Sequence, residues 1–180
     1  MGNDSKDKKI SFRKLRQDDG YEWYTVLDVV WRATYSNIFP QEVFDGRDGA
    51  REDRARGFDA GKFLGERKTA YVAESEGKIV GVMFGTLDSD YEAFKGDYAD
   101  LVILYVYPEY QGMGIGTALR DIFIKWAKEK DAKRYVVGVL KDNSHARRVY
   151  ESWGGELSEH EHDFTVMGVG YPEVFYTFDL

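Results

Sequence analysis

Leu104-Tyr105-Val106-Tyr107-Pro108-Glu109-Tyr110-Gln111-Gly112-Met113-Gly114-Ile115-Gly116-Thr117-Ala118-Leu119 is the stretch on which the reading of this chain turns. The apolar run Leu101 to Tyr107 reads as a buried strand, and Pro108 ends it because proline cannot donate to a β-ladder. Thr117 to Lys130 then has helical spacing, with Ala118, Leu119, Ile122, Phe123, Trp126 and Ala127 on one face. Between them three glycines alternate where a strand becomes a helix. A helix start carries backbone N–H groups without intrahelical acceptors and a partial positive charge. Glycine lets an anion approach those groups closely, so the turn reads as a phosphate cradle.

Tyr135 to Leu140 supplies a further buried strand, and strand, helix, strand in this order is a parallel crossover. A short helix from about Ser144 to Trp153 stops at Gly154-Gly155. Two last strands, near Glu156 to Glu161 and Val174 to Phe178, read as antiparallel. Upstream, Ile10 to Leu15 reads as a first strand. Asp19-x-x-Glu22 resembles a capping box opening a helix with Trp23, Val26, Leu27, Val30, Trp31 and Thr34 on one side. Residues 41–68 mix charge with Gly46, Gly49, Gly57, Gly61 and Gly65, which predicts short, mobile helices. Thr69 to Glu74 and Lys78 to Thr86 form a hairpin through Ser75-Glu76-Gly77.

The chain has 180 residues, 43% of them hydrophobic, which suits one domain able to bury roughly 70% of its unfolded surface. We assign residues 10–180 to that domain and residues 1–9 to a disordered polar tail. There is no cysteine, which excludes disulfides, thiolate nucleophiles and thiolate metal sites. No apolar stretch approaches the roughly 20 residues that span a bilayer, and the first residues lack the apolar core of a signal peptide. A cytoplasmic protein without membrane contact is expected. A net charge of −7 argues against nucleic-acid binding and suits a cationic partner.

Three readings of the glycine turn compete. A P-loop needs Gly-x-x-x-x-Gly-Lys-Ser/Thr, a spacing the chain lacks. A dinucleotide fingerprint needs Gly-x-Gly-x-x-Gly directly after the strand, whereas here Thr117 takes the last glycine's place and Pro108 to Gln111 intervene. The third reading is a family resemblance. The stretch from Leu104 to Leu119 closely resembles the acetyl-CoA signature of the Gcn5-related N-acetyltransferases, Gln/Arg-x-x-Gly-x-Gly/Ala. Asn143-x-x-Ala146-x-x-x-Tyr150-x-x-x-Gly154 resembles that family's second signature.

The resemblance is clearest over about residues 97–155, and the order of elements from Ile10 to Phe178 also resembles the family. It implies a single α/β domain with a mixed seven-stranded twisted sheet, about four helices, and a bulged fourth strand that splays from the fifth. It also implies acetyl-CoA as co-substrate and no metal. Gln111, Gly112, Met113, Gly114, Ile115, Gly116 and Thr117 would cradle the pyrophosphate, and Asn143 would contact the coenzyme. Backbone groups of Leu104, Tyr105 and Val106 would meet the pantetheine arm and the acetyl carbonyl, with the Val106 N–H as oxyanion donor.

The chemistry follows from the functional groups. A primary amine with an ordinary pKa near 10.4 is almost wholly ammonium at pH 7 and must lose a proton before it attacks a thioester. Attack creates an oxyanion that needs a fixed donor, and expels a thiolate that benefits from an acid. Tyr150, matching the tyrosine of the second signature, is the expected acid. Many relatives carry a glutamate on the fourth strand where this chain has Val102. The nearest substitute is Asp100, expected on the same strand face two residues earlier. Water relayed through backbone carbonyls is the alternative.

Trp31-x-x-Thr34-Tyr35 and Phe39-Pro40-Gln41-Glu42 resemble the first helix and loop of small-molecule members, including polyamine acetyltransferases. Trp31, Tyr35 and Phe39 would then wall the acceptor. The acidic loop around Asp88, Asp90, Glu92 and Asp97 would draw in a polycation. His160-x-His162 beside Asp163 is read as polar surface rather than a metal pair. Arg147 and Arg148 have modest claims on the coenzyme phosphates. The expected activity is direct acetyl transfer to a small amine. A protein N-terminus or lysine as acceptor, or a coenzyme-A-binding regulatory module without catalysis, are the alternatives, and a homodimer is compatible with the aromatic content.

Overall fold

The structure, a computed structural model, describes residues 9–180, so the expected tail lies almost entirely outside the described residues. Seven strands, β1 (Ile10–Lys14), β2 (Lys68–Ser75), β3 (Lys78–Thr86), β4 (Ala99–Val106), β5 (Arg134–Leu140), β6 (Glu156–Val166) and β7 (Val169–Asp179), form one sheet in the order β1-β2-β3-β4-β5-β7-β6. All neighbours are antiparallel except β4 and β5, the parallel pair the crossover requires. The helices are α1 (Gly20–Tyr35), α2 (Gln41–Gly49), α3 (Arg51–Arg56), α4 (Ile115–Glu129) and α5 (Ser144–Ser152). Among the described residues there are five rather than about four because the glycine-interrupted stretch divides at Ala50, whose N–H turns back to the Gly46 carbonyl at 3.1 Å.

Alternation along the strands sends side chains into two cores. Val137, Val139, Val174 and Tyr176 meet Ile115, Leu119 and Phe123 of α4 and Tyr150 of α5 on one face. Val72, Ile79 and Val82 meet Trp23, Val26 and Val30 of α1 on the other. Among the described residues no helix is long and apolar enough to cross a membrane.

Three local expectations are corrected. The Asp19 side chain does not cap α1 and Glu22 does not close a capping box: Asp19 instead accepts from the Arg13 guanidinium at 2.7 and 2.8 Å, and Glu22 accepts from the Ile79 N–H at 2.7 Å. Asp19 caps the preceding turn instead, accepting from the Arg16 N–H at 2.7 Å, while Glu22 is drawn off to a strand. The last two strands are each 11 residues long, and they join through Met167 and Gly168, both left-handed at φ 50° and 80°. That is the mirror-image turn that suits hairpin twist, as is Glu76-Gly77 in the first hairpin at φ 51° and 80°. Gly168, Gly170 and Pro172 had diluted the strand pattern at this end.

The third correction lies in β4. Ile103 pairs with Phe84 and Leu101 with Gly85, so Val102 is an extra, bulged residue. The bulge reverses alternation: Asp100 shares its face with Ile103 and Tyr105, and no longer with Leu104 and Val106.

Candidate active site

The parallel neighbours β4 and β5 pair only at Ala99↔Tyr135 and Asp100↔Val136, then diverge. The bulge at Val102 bends β4 away just above this vertex. The Tyr107 N–H donates to the Val80 carbonyl at 2.9 Å, so the alternation of antiparallel bonding turns the Val106 N–H and C=O away from β3 and into the gap. The Val106 carbonyl is met there by the Gln111 side-chain amide at 3.1 Å. The result is a V-shaped opening edged by backbone groups that no neighbouring strand uses.

The glycine turn closes the wide end of the V. Gly112 and Gly114 are left-handed, at φ 75° and 78°, and Gly114 is the N-cap of α4. A Cβ on either would meet no atom within 4 Å, so the glycines answer to backbone conformation and the space above them is open. The Ala118 N–H makes an intrahelical bond to the Gly114 carbonyl at 2.9 Å, leaving the amides of Ile115, Gly116 and Thr117 without intrahelical acceptors. An anion fits this arrangement of free donors and open space.

A cleft of about 440 Å³ runs from this turn into the V. Gln111, Gly112, Gly114, Ile115, Gly116 and Thr117 line one end, Leu104, Tyr105 and Val106 one wall, and Asn143 and Tyr150 the α5 side. Tyr35 of α1 reaches the same space from the opposite face. Met113 is exposed beside the cleft rather than in its lining. Asn143 caps α5 by accepting from the Ala146 N–H at 3.1 Å, which fixes its side chain at the rim.

Three phenols converge here. Tyr35, Tyr105 and Tyr150 lie within electrostatic range of one another, and burial pushes each above the ordinary tyrosine range. They stay protonated at neutral pH and can donate. The Tyr105 hydroxyl accepts from the Trp31 indole N–H at 3.1 Å.

Other expected residues stand apart from the cleft. Asp100 is 4% exposed and sits at the closed vertex, accepting from the Ser89 hydroxyl at 2.7 Å. Burial raises its pKa to about 6. The bulge explains why it does not share a face with the residue it was to replace: Val102 lines the cleft and is 49% exposed. Trp31 and Phe39 pack behind Tyr35, against Phe164 and Tyr171 of the β6–β7 hairpin. His160 lies on Phe94 and Phe175, and His162 on Tyr91. Arg147 is turned to the Tyr176 hydroxyl and the Lys141 carbonyl, at 3.1 and 3.2 Å. A second buried acid, Glu173 of β7, lies outside the expected last strand, which starts at Val174, and its carboxyl stands over Gly138 of β5. Its signal is a carboxylate inside an otherwise apolar strand.

A family model described as the acetyltransferase (GNAT) family matches residues 23–154. Among solved structures, the chain is similar to the PaiA N-acetyltransferase of Thermoplasma acidophilum in complex with coenzyme A, at 21% identity over 92% of this chain and 98% of that one, with a TM-score of 0.67. It is similar to a GCN5-related N-acetyltransferase of Rhodopseudomonas palustris at 20% identity over 94% and 95%, with a TM-score of 0.71. A ribosomal-protein-alanine N-acetyltransferase of Brucella melitensis matches at 21% identity over 94% and 99%, with a TM-score of 0.64. At these identities the structures establish a shared fold, and the family model carries the assignment.

Proposed function

The chain belongs to the GNAT acetyltransferase family and is an acetyl-CoA-dependent N-acetyltransferase, and on that premise we propose that its acceptor is a small amine, with polyamines as the first class to try. The observation that carries this reading is the aromatic packing that joins α1 and the loop after it to the β6–β7 hairpin behind Tyr35. Trp31 and Phe39 are clasped to Phe164 and Tyr171 of the β6–β7 hairpin, at ring separations of 6.1 and 4.7 Å. That clasp leaves α1 and the hairpin in contact beside Tyr35, which on our reading leaves less room for a polypeptide than for a small amine. Two buried acids, Asp100 and Glu173, lie within electrostatic range of each other with Asp90 nearby, and they favour a cationic acceptor over a neutral one.

The roles we assign follow the cleft from end to end. The amides of Gly112 through Thr117, Met113 included by its backbone, hold the pyrophosphate, with Gln111 at the rim donating its own N–H to the Pro108 carbonyl. The unpaired edge of Leu104, Tyr105 and Val106 receives the pantetheine arm, with Asn143 at its side. When bound, acetyl-CoA supplies an activated carbonyl and a thiolate leaving group. The Val106 N–H donates to the oxygen on which charge develops. Tyr150 protonates the departing sulfur, Tyr35 flanks the incoming amine, and one of the two buried carboxylates accepts the ammonium proton.

Thiol release from acetyl-CoA, followed with spermidine, spermine, short monoamines, and peptides offering an N-terminal alanine or a lysine, tests the acceptor. We expect kcat/KM for a polyamine to exceed that for any peptide by at least about tenfold, a difference of roughly 1.4 kcal/mol in transition-state binding. A peptide preferred by the same margin would move the acceptor to protein amines. Coenzyme binding without transfer to any amine would make this a regulatory module.

A further inference from the structure

Glu173 lies on β7, one strand beyond the V, yet its carboxyl leans back over β5. The residue it crosses is Gly138, where an added Cβ would stand 2.7 Å from Glu173 Oε1. Gly138 itself lines the cleft. Any side chain at that position would push the carboxyl away from the V, so the glycine is what brings a β7 acid to the edge of a site built by β4 and β5. Glu173 is 8% exposed. Its Oε2 accepts from the Tyr91 hydroxyl at 2.9 Å, and Oε1 accepts no hydrogen bond among the described residues. Neither lysine nor arginine pairs with it there.

The charged and titratable groups facing Glu173 come from three directions. Tyr91, with Asp90 beside it, is on the β3–β4 connection, Asp100 and Tyr105 are on β4, and His162 is its direct cross-strand partner on β6. Burial raises its affinity for a proton, while the Tyr91 hydrogen bond and His162 partly offset that effect. A buried carboxylate with one bound and one free oxygen holds a proton more readily than an exposed one, which suits it to accept one from a cation beside it. Exposed His162, resting on the Tyr91 ring at 5.4 Å, stands where that proton can leave for solvent.

We propose that Glu173 is the general base of acetyl transfer, receiving on Oε1 a proton from the acceptor's ammonium. The proposal rests on the reading of the cleft as an amine-acetylation site. The amine so formed attacks the thioester carbonyl carbon: a C–N bond forms, and the carbonyl π pair moves to the oxygen beside the Val106 N–H. Collapse restores the carbonyl and breaks the C–S bond. The sulfur leaves with that bond's electrons and takes the Tyr150 proton. The nitrogen's surplus proton returns to the Tyr150 phenolate, and the proton held by Glu173 passes to solvent. The balance is one ammonium and one thioester consumed, and one amide, one thiol and one proton released. Asp100 is less suited to this role because it lies where β4 and β5 are still paired, at Asp100↔Val136, below the residues at which the strands part.

Glu173→Gln keeps the shape and an acceptor for Tyr91 while removing the base. We expect kcat/KM for spermidine at pH 7 to fall about 10²–10³-fold. The loss should shrink as pH approaches the amine's own pKa, and the acid limb of the kcat/KM profile should disappear. Acetyl-CoA affinity, measured by calorimetry, should stay within about twofold, which a collapsed fold would not permit. Tyr91→Phe removes a hydrogen bond that favours the charged carboxylate, so it should move the acid limb to higher pH. That shift decides the matter if Glu173→Gln does not fold. An unchanged limb in both variants overturns the assignment, and loss of the limb in Asp100→Asn instead transfers the role to Asp100. Wild-type protein that binds acetyl-CoA but acetylates no amine would remove the underlying functional reading together with this one.

Discussion

Tyr150, the acid we propose, shows how place can suit an ordinary side chain to one task. Its ring is buried between Trp153 and Tyr176, at 5.6 and 5.9 Å, and its phenol is pushed above the usual tyrosine range by loss of water. A group that never ionises near neutrality is a poor base and a dependable donor, which suits a thiolate of pKa roughly 8.5. Tyr150→Phe retains the ring packing and deletes only the donor. We expect kcat to fall about 10²-fold with acetyl-CoA affinity changed less than about twofold, as read from steady-state kinetics beside calorimetry. Equal loss in both would mark Tyr150 as a packing residue. Its position was legible from the spacing Asn143-x-x-Ala146-x-x-x-Tyr150. The place of the base we propose was not legible, since that required knowing that Val102 is bulged and that Gly138 leaves room for an acid on the neighbouring strand.

At the scale of elements, legibility follows how local the stabilising interactions are. The helices α1 and α4 carry long apolar faces, and the β2–β3 hairpin has its turn residues in sequence, so each can be read from its own residues. The pair α2 and α3 cannot. Their sequence is glycine-broken and polar, and what fixes them is Asp28, buried on α1, which accepts from Arg47, Arg51 and Arg54 at 3.0, 2.9 and 2.6 Å. Arg47 then lies over the Trp31 ring at 4.0 Å, tying α2 to the side of α1 that we propose faces the acceptor. Removing the charge leaves three partly buried guanidinium groups facing a neutral side chain. Asp28→Asn should cost about 3–5 kcal/mol in urea unfolding. It should also raise KM for the acceptor more than KM for acetyl-CoA, since the coenzyme end is built on α4 and α5. A stability loss with both KM values unmoved would detach α2 from substrate binding.

For the whole molecule, the buried acids set how stability depends on pH, and they act in opposite senses. Burial alone would raise Asp19, but its Arg13 hydrogen bonds and the Arg16 N–H outweigh that and hold it low. Its contribution is therefore present above the unfolded pKa and fades as pH falls through the lower folded value. Asp100 behaves the other way. Burial raises it to about 6 against the Ser89 hydrogen bond, so the folded state binds its proton more tightly than the unfolded chain does. Stability from that group is present below roughly pH 4 and is lost as pH rises to about 6, after which it stays low. The shift corresponds to on the order of 3 kcal/mol of cost at neutral pH, the upper end of what a neutral replacement could return. Asp100→Asn keeps an oxygen for Ser89 and removes the titration. In melting scans from pH 4 to 8 we expect the variant to match wild type near pH 4 and to melt several degrees higher at pH 7.5. A variant that melts lower at every pH would mean that the Asp100 charge is compensated within the fold. The enzyme would then not be giving up stability to keep a carboxylate ionised beneath its acceptor site.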